Sequence, residues 1–288
     1  MEEQKKFSCG ILTFETYLGK RKDWAGSSRI RGSWLAKYWE GAELFKQGRQ
    51  YDVVIYQKAY WVEHAKQFKG IKILDICDPD WYHWSYQVVE MIQDVDAITT
   101  STEELARSIS KFTDKPVVCI PDRMDLEFHK GRKFHTGKAK WAVWFGYSTG
   151  FEMLKPALHF LKKNNLGLIV ISDTNFILPS SYFDSVELRN LPWKLETVND
   201  DILLGDMVLN PQGKNGKWKY KSNNKTLSAW ALGMPVAHTV EEMNKFMDEE
   251  ERQKESKLRI QEVSEKWEIH RSIDEYKELI EKIKESKK

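Results

Sequence analysis

Residues 141–150 read Trp-Ala-Val-Trp-Phe-Gly-Tyr-Ser-Thr-Gly. An apolar run enters a glycine without alternating, and Phe151, Leu154, Leu158 and Leu161 then repeat at helical spacing. An unbroken apolar run predicts a strand covered on both faces, as parallel strands are. A strand that passes through a glycine turn into an amphipathic helix is the opening step of a doubly wound α/β unit.

The same alternation continues in both directions. Strands are expected near 7–14, 53–56, 71–76, 97–100 and 117–120, and again near 141–145, 168–171, 186–188, 207–209 and 235–237. Between them, Ser28 can cap a helix with Ile30, Trp34, Leu35 and Tyr38 on one face. Ser101 with Glu104 makes a capping box ahead of Leu105, Ile109 and Phe112. Leu227, Trp230 and Ala231 form a third stripe, stopped by Gly233 and Pro235. Two sets of about five strands predict an α/β fold of two Rossmann-like parallel-sheet domains flanking an interdomain cleft. The expected division is 1–133, 134–265 and a final helix in 266–288 that packs back on the first domain. That helix repeats Ile273, Tyr276, Ile280 and Ile283, and the basic, glycine-containing stretch 127–140 reads as the linker.

Composition narrows the class. The 288 residues carry a formal charge of +2 and a mean hydropathy of −0.59, which predicts a soluble globular protein without a general affinity for nucleic acid. No apolar run approaches a membrane span, and no signal-like apolar core follows the polar residues 1–6, so a cytoplasmic protein is expected. Cys9, Cys77 and Cys119 are far apart and sit in apolar runs, so they read as reduced and buried rather than as metal ligands. Twelve tryptophans read mostly as core or domain-interface material, and an aromatic excess of this size also suits stacking on sugars or bases.

In open parallel sheets, ligands bind beyond the carboxyl ends of the strands. Gly146 lets a backbone approach closely there, and amides at the helix start after it favour a phosphate. The turn Lys219-Tyr-Lys-Ser-Asn-Asn-Lys225 brings Lys221, Ser222, Asn223, Asn224 and Lys225 to another helix start, a setting that suits a diphosphate and also a solvated basic loop. In Gly26-Ser-Ser-Arg-Ile-Arg-Gly32, Arg29 or Arg31 can meet phosphates or an anionic acceptor, or sit on a helix surface. The G-x-G-x-x-G fingerprint is absent, which disfavours a nicotinamide domain.

Three stretches carry a family resemblance. Gly205-Asp-Met-Val-Leu-Asn-Pro211, Lys221-Ser-Asn-Asn-Lys225 and Ala229-Trp-Ala-Leu-Gly-Met-Pro-Val236 resemble the donor-binding half of GT-B glycosyltransferases of the family 4 (group 1) type. Trp144–Gly150 is similar to the opening strand and turn of that half, and Asp96-Ala-Ile-Thr-Thr-Ser-Thr102 and Val118-Cys-Ile-Pro-Asp122 to the last strands of the other. The family's E-x7-E glutamate element is absent, and Asn-Asn-Lys fills that region.

The resemblance implies a hexosyl- or pentosyltransferase that works without a metal. It implies no tightly bound cofactor, only a UDP- or GDP-sugar as co-substrate. The donor would be held by Gly146, Tyr147, Ser148, Asn210 and the Lys221–Lys225 turn, with Trp193 near the base. At the end of the 71–76 strand, such enzymes carry a functional His or Asp. Asp78 is the first candidate for a base or sugar-orienting group, with Asp80 and His83 in reserve. Asp78-Pro-Asp80 also spells a D-x-D metal triplet, and equally a proline turn. The acceptor is a hydroxyl of a glycan or of a hydroxylated DNA base, whose phosphates the basic stretches 130–140 and 214–225 can follow. Two other classes fit: a non-catalytic nucleotide-sugar-binding module, which the missing glutamates favour, and a sugar-nucleotide epimerase of the same architecture.

Overall fold

The computed structural model describes residues 7–19, 25–211 and 216–288. Its contacts divide the chain into two units. Unit 1 comprises 1–125, 217–222 and 268–288; unit 2 comprises 126–216 and 223–267.

Unit 1 is built on a six-stranded parallel sheet. In chain order its strands are β1 (Cys9–Thr13), β2 (Ala42–Leu44), β3 (Val53–Gln57), β4 (Ile71–Ile76), β5 (Ala97–Thr100) and β6 (Val117–Cys119), and in space they run β2-β1-β3-β4-β5-β6. Each strand splits its residues between two faces, as the period of two requires. Leu12, Val54, Tyr56, Leu74, Ile76 and Ile98 face one core, where Val62, Ala65, Val88, Met91 and Ile92 of the crossover helices meet them. The alternate residues Ile11, Val53, Ile55 and Ile73 are equally buried. β2 was not expected: its Ala-Glu-Leu is half-buried on the sheet edge and offers no apolar run.

Two expected caps differ. Beyond a short helix at the end of β1, Phe14–Tyr17, a second helical stretch begins at Gly26 behind an extended Ala25, and continues through a π-helical turn, Arg29–Ser33, into Trp34–Tyr38. Ser28 therefore lies inside it, fully buried. The stretch packs tightly on β1, since a Cβ on Gly32 would come 2.3 Å from Cγ2 of Thr13. At the Glu103–Ile109 helix the cap is Thr102, whose hydroxyl accepts from the Leu105 amide at 3.2 Å, while Ser101 donates to the Cys77 carbonyl. That helix stops before Phe112, which is exposed.

Unit 2 holds a five-stranded parallel sheet of β7 (Trp141–Phe145), β8 (Gly167–Ser172), β9 (Leu188–Pro192), β10 (Met207–Leu209) and β11 (Val236–Ala237), ordered β11-β10-β7-β8-β9. One face presents Trp144, Leu168, Val170 and Leu209 to Leu154, Leu158 and Leu161. The other presents Val143, Phe145, Ile169, Ile171 and Val208 to Val198, Ile202, Ala229 and Leu232. The strand expected at 186–188 runs instead over Leu188–Pro192. Val186 closes a turn on the Tyr182 carbonyl, and the true strand is a partly exposed edge where a terminal proline is tolerated. The basic stretch 127–140 is packed: the Lys133 amide bonds the Leu232 carbonyl, His135 bonds that of Gly233, and Arg252 reaches Gly137.

The described thiols are all free, with Cys9 and Cys77 buried and Cys119 half-buried. Among the described residues no helix is long and apolar enough to cross a membrane.

The frame of unit 1 closes on Arg31. Its Nε and one amino group donate to Asp75 at 2.8 and 2.5 Å, and the other amino group donates to Asp122 at 2.9 Å and the Ile120 carbonyl at 2.8 Å. Asp75 also accepts from Thr99 and from Tyr276 of the His270–Ser286 helix. All of these groups are buried. Replacing Arg31 with Met would strand two buried carboxylates, so a loss of about 3–5 kcal/mol is expected. Urea unfolding measures it, and a loss below about 1 kcal/mol would show that the frame does not depend on this cation.

Candidate functional site

In unit 2 the chain leaves β7 to one side for β8 and β9, and returns on the other side for β10 and β11. The switch point therefore lies between β7 and β10, and the residues just beyond their carboxyl ends are Gly146 and Asn210. Gly146 has φ +147°, and a Cβ there would stand 2.3 Å from Nζ of Lys225 and 2.8 Å from its Cε. The backbone conformation favours glycine, and a Cβ there would displace the lysine. The Lys225 side chain passes over that glycine, and its ammonium sits 4.6 Å from the centroid of the buried Trp144 ring.

Lys225 is the second residue of the Asn224–Ala231 helix, whose cap residue Asn223 makes no side-chain cap hydrogen bond. The positive end of a helix and an ammonium thus converge on one strand end. Asn210 donates to the Thr226 hydroxyl at 3.0 Å in the same turn, and its carbonyl accepts from Nδ1 of His238 at 2.7 Å. Gly146, Asn210, Asn223, Asn224 and Lys225 are brought together as a local group.

The other expected donor residues stand differently. Tyr147 is 53 % exposed. The turn after Gly146 opens as a 3-10 helix, Ser148–Leu154. Its first amide is not open to an anion, because the Ser148 N–H and hydroxyl both donate to Asp173, at 2.7 and 3.0 Å. Burial opposes ionisation of Asp173, but these bonds and one from Ser172 hold its carboxyl below the ordinary value. Trp193 follows β9, its amide on the Ser172 carbonyl and its ring half-buried against the Val143 face of the sheet.

Lys221 and Ser222 count with unit 1, so the expected basic turn divides after residue 222. The Lys221 ammonium is 2.6 Å from Asp78, and Ser222 donates to Asp122 at 2.6 Å. Residues 212–215, at the start of the basic stretch 214–225, lie outside the described residues.

Beyond β4, Asp78 and Asp80 flank a proline turn, and Lys58 reaches both. Its Nζ is 2.7 Å from Asp78 and 3.5 Å from Asp80. Tyr60 donates to the other oxygen of Asp80 at 2.7 Å. The two carboxyls diverge in consequence. Burial pushes Asp78 up, but Lys58 and Lys221 together outweigh it and hold the group below its ordinary value. Burial also pushes Asp80 up; there Lys58 and Tyr60 offset it only in part, the Asp78 charge adds to it, and the group stays raised. His83 is exposed on the following helix, with its amide on the Asp80 carbonyl. Among the described residues no cluster of three His, Cys, Asp or Glu side chains is placed to hold a metal.

Arg31 is spent on Asp75 and Asp122, which corrects its expected role as an anion contact. Arg29, half-buried, lies 5.8 Å from the Trp34 ring centroid. Sequence reasoning missed Lys58, Tyr60 and Asp122. The sequence signal was partial: Lys58 and Tyr60 stand just after the apolar run 53–56, at an expected strand end.

No protein-family model matches the chain, and no curated protein matches its sequence. Solved structures do match its fold. HepE from Anabaena, in complex with UDP and glucose, superposes with a TM-score of 0.68 at 8% identity, covering 96% of this chain and 100% of HepE. The DNA modifying enzyme β-glucosyltransferase, studied with and without its substrate uridine diphosphoglucose, gives 0.56 at 11% identity, covering 95% and 99%. TarM gives 0.58 at 10% identity over 79% of this chain, which spans about half of TarM, 54%. The architecture is the GT-B fold, two Rossmann-like units as the sequence led one to expect.

The divergent carboxyls predict stability effects of opposite sign. A carboxyl held below about 3.8 stabilises the fold above that pH and loses its contribution as pH falls through its lowered value. One held above 3.8 binds its proton more tightly when folded, so its share is full at low pH and is lost as pH rises through the raised value. Asp78→Asn should therefore lower the thermal midpoint at neutral pH, with the deficit closing in acid. Asp80→Asn, which keeps an acceptor for Tyr60, should raise it, with the gain fading in acid. Deficits of one sign in both variants would contradict the charge arrangement.

Proposed function

We propose that the chain is a glycosyltransferase that moves a sugar from a nucleotide-diphosphate sugar to a hydroxyl acceptor. The observation that carries this reading is the Lys225 ammonium lying over Gly146 and Trp144 at the switch point of the second sheet, in the first turn of a helix without a side-chain cap. A diphosphate needs positive charge and N–H donors at close range, and this strand end offers both. A departing diphosphate needs the same groups more as its charge grows, so binding and transition-state stabilisation draw on one set. Lys225 and the helix start supply that field in this reading, without a metal ion.

HepE is described with UDP and glucose, and the DNA modifying enzyme takes uridine diphosphoglucose. These favour a UDP-sugar, with a GDP-sugar as the other option. Gly146 and Asn210 would border the donor, Tyr147 and Trp193 would flank its sugar or base, and Asn223 and Asn224 would present amides. A cytoplasmic setting belongs to the same proposal.

Acceptor activation is assigned to unit 1. Asp80 is the better base, because Asp78 is already neutralised by two lysines. As the acceptor oxygen bonds to the anomeric carbon, its proton passes to Asp80. The bond from that carbon to the diphosphate breaks, and the diphosphate leaves with the electron pair. Asp78 and His83 then serve as neighbours that orient the acceptor. The acceptor in this reading is a hydroxyl of a glycan or of a hydroxylated DNA base.

A thermal-shift screen over UDP-, GDP-, ADP-, CMP- and TDP-sugars should give one strong stabiliser. Lys225→Ala should weaken binding of that donor about 10–100-fold, the worth of a charge-assisted contact. Gly146→Ala should weaken it too, by displacing the lysine. Unchanged affinity in Lys225→Ala, measured by calorimetry, removes the donor-site assignment. Donor binding without hydrolysis or transfer would instead make the chain a sugar-nucleotide-binding module, and an epimerised donor would make it an epimerase.

A further inference from the structure

Lys58 is an unusual residue by every measure the fold provides. It follows β3 directly, at the carboxyl end of the sheet, and has φ +52°. A non-glycine residue adopts that left-handed conformation only when its surroundings impose it. The Lys58 amide still continues the parallel ladder, donating to the Asp75 carbonyl at 2.9 Å across the β3–β4 pair. The turn sends the side chain towards the Asp78–Asp80 turn at the end of the neighbouring strand. The side chain is only 17 % exposed, its ammonium bridges both carboxylates, and it lies 5.4 Å from the Phe14 ring centroid.

A surface lysine needs none of this. Its alkyl chain can reach an exposed carboxylate from ordinary backbone, and such pairs are worth little. A lysine held in left-handed backbone, largely buried, and shared unequally between two acids has a more specific consequence. It satisfies one acid fully and the other in part.

We propose that Lys58 is the positioning residue of the acceptor site: it locks Asp78 as a permanent anion and leaves Asp80, oriented by Tyr60, as the group that takes the acceptor proton. This rests on the transferase reading above and names how its base is prepared. Lys58 does not touch the reacting atoms; it acts through the two acids. The groups facing them are few. Asp80 is met by Lys58 and Tyr60 from the β3 side and by Asp78 on its own turn, and Asp78 is met by Lys58 and Lys221. Cys77, buried and pushed up by that burial, faces Lys58 as well.

Lys58→Gly removes the ammonium and suits the left-handed backbone, so the fold is retained; Lys58→Arg restores a cation at the same place. Carbon-detected NMR titration of the Asp78 and Asp80 carboxyls needs no substrate. Both should rise by about 1–3 pH units in Lys58→Gly, and return most of the way in Lys58→Arg. With UDP-glucose as donor and water as acceptor, the acid limb of the hydrolysis pH profile should rise by the same interval in Lys58→Gly, and Lys58→Arg should recover the profile. An Asp80 titration unchanged in Lys58→Gly overturns the proposal. So does an acid limb that stays put while Asp80 moves, since the lysine would then be structural. A wild-type protein that turns over no nucleotide-sugar sinks the transferase reading instead, and the titration still reports whether Lys58 sets the two acids apart.

Discussion

The buried fork between Arg31, Asp75 and Asp122 is the constraint on which unit 1 depends. A guanidinium taken out of water costs several kcal/mol, and only good geometry with satisfied partners offsets it. That geometry fixes three things at once. The helical stretch after β1 must lie against the sheet, which is why Gly32 faces Thr13 without room for a Cβ. The residues after β6 must turn back, so that Ile120 and Asp122 reach the same cation. The last helix must dock, because the Asp75 oxygen that meets Arg31 also accepts from Tyr276. The second oxygen of Asp122 then takes Ser222.

Asp75, Asp78 and Asp80 crowd one strand end, and three anions there would repel one another. The fold answers each with a different partner. Asp75 has Arg31, Thr99 and Tyr276 and is a structural anion. Asp78 has two lysines. Asp80 has a tyrosine and the far side of one lysine. Local sequence is nearly the same for the last two, and only the tertiary partners separate them. The acid that is chemically open is the one the fold pairs least.

This explains what the sequence made legible. The central strands were readable because parallel strands covered on both faces need near-continuous apolar runs, as at 53–56 and 168–171. β2 and β9 were not, because edge strands need no such run. Ser28 and Ser101 looked like caps since each precedes an apolar stripe, but the stripe does not say which residue stands outside the helix. Gly146 and Lys225 were each readable as phosphate-seeking, one from a strand-end glycine and one from a helix start. Their meeting was not, because it joins residues 79 positions apart across the sheet. The turn 219–225 was read as one basic element, yet its Lys221 and Ser222 answer acids of unit 1. No local pattern reveals which lysines already have a carboxylate.

The three lysines at these strand ends stand in different surroundings. Lys58 lies between two carboxylates in a largely buried setting, and taking it away would leave Asp78 with Lys221 alone and Asp80 with Tyr60. Lys221 closes on Asp78 in the same way, though more exposed. Lys225 rests over an aromatic face, an interaction of about 0.5–2 kcal/mol. A charge-assisted hydrogen bond to a phosphate is worth about 1.5–3 kcal/mol and need not break the ring contact, since the ammonium has donors pointing away from the ring. The glycine beneath the side chain leaves room for the lysine, because any Cβ at 146 would claim the space the ammonium occupies.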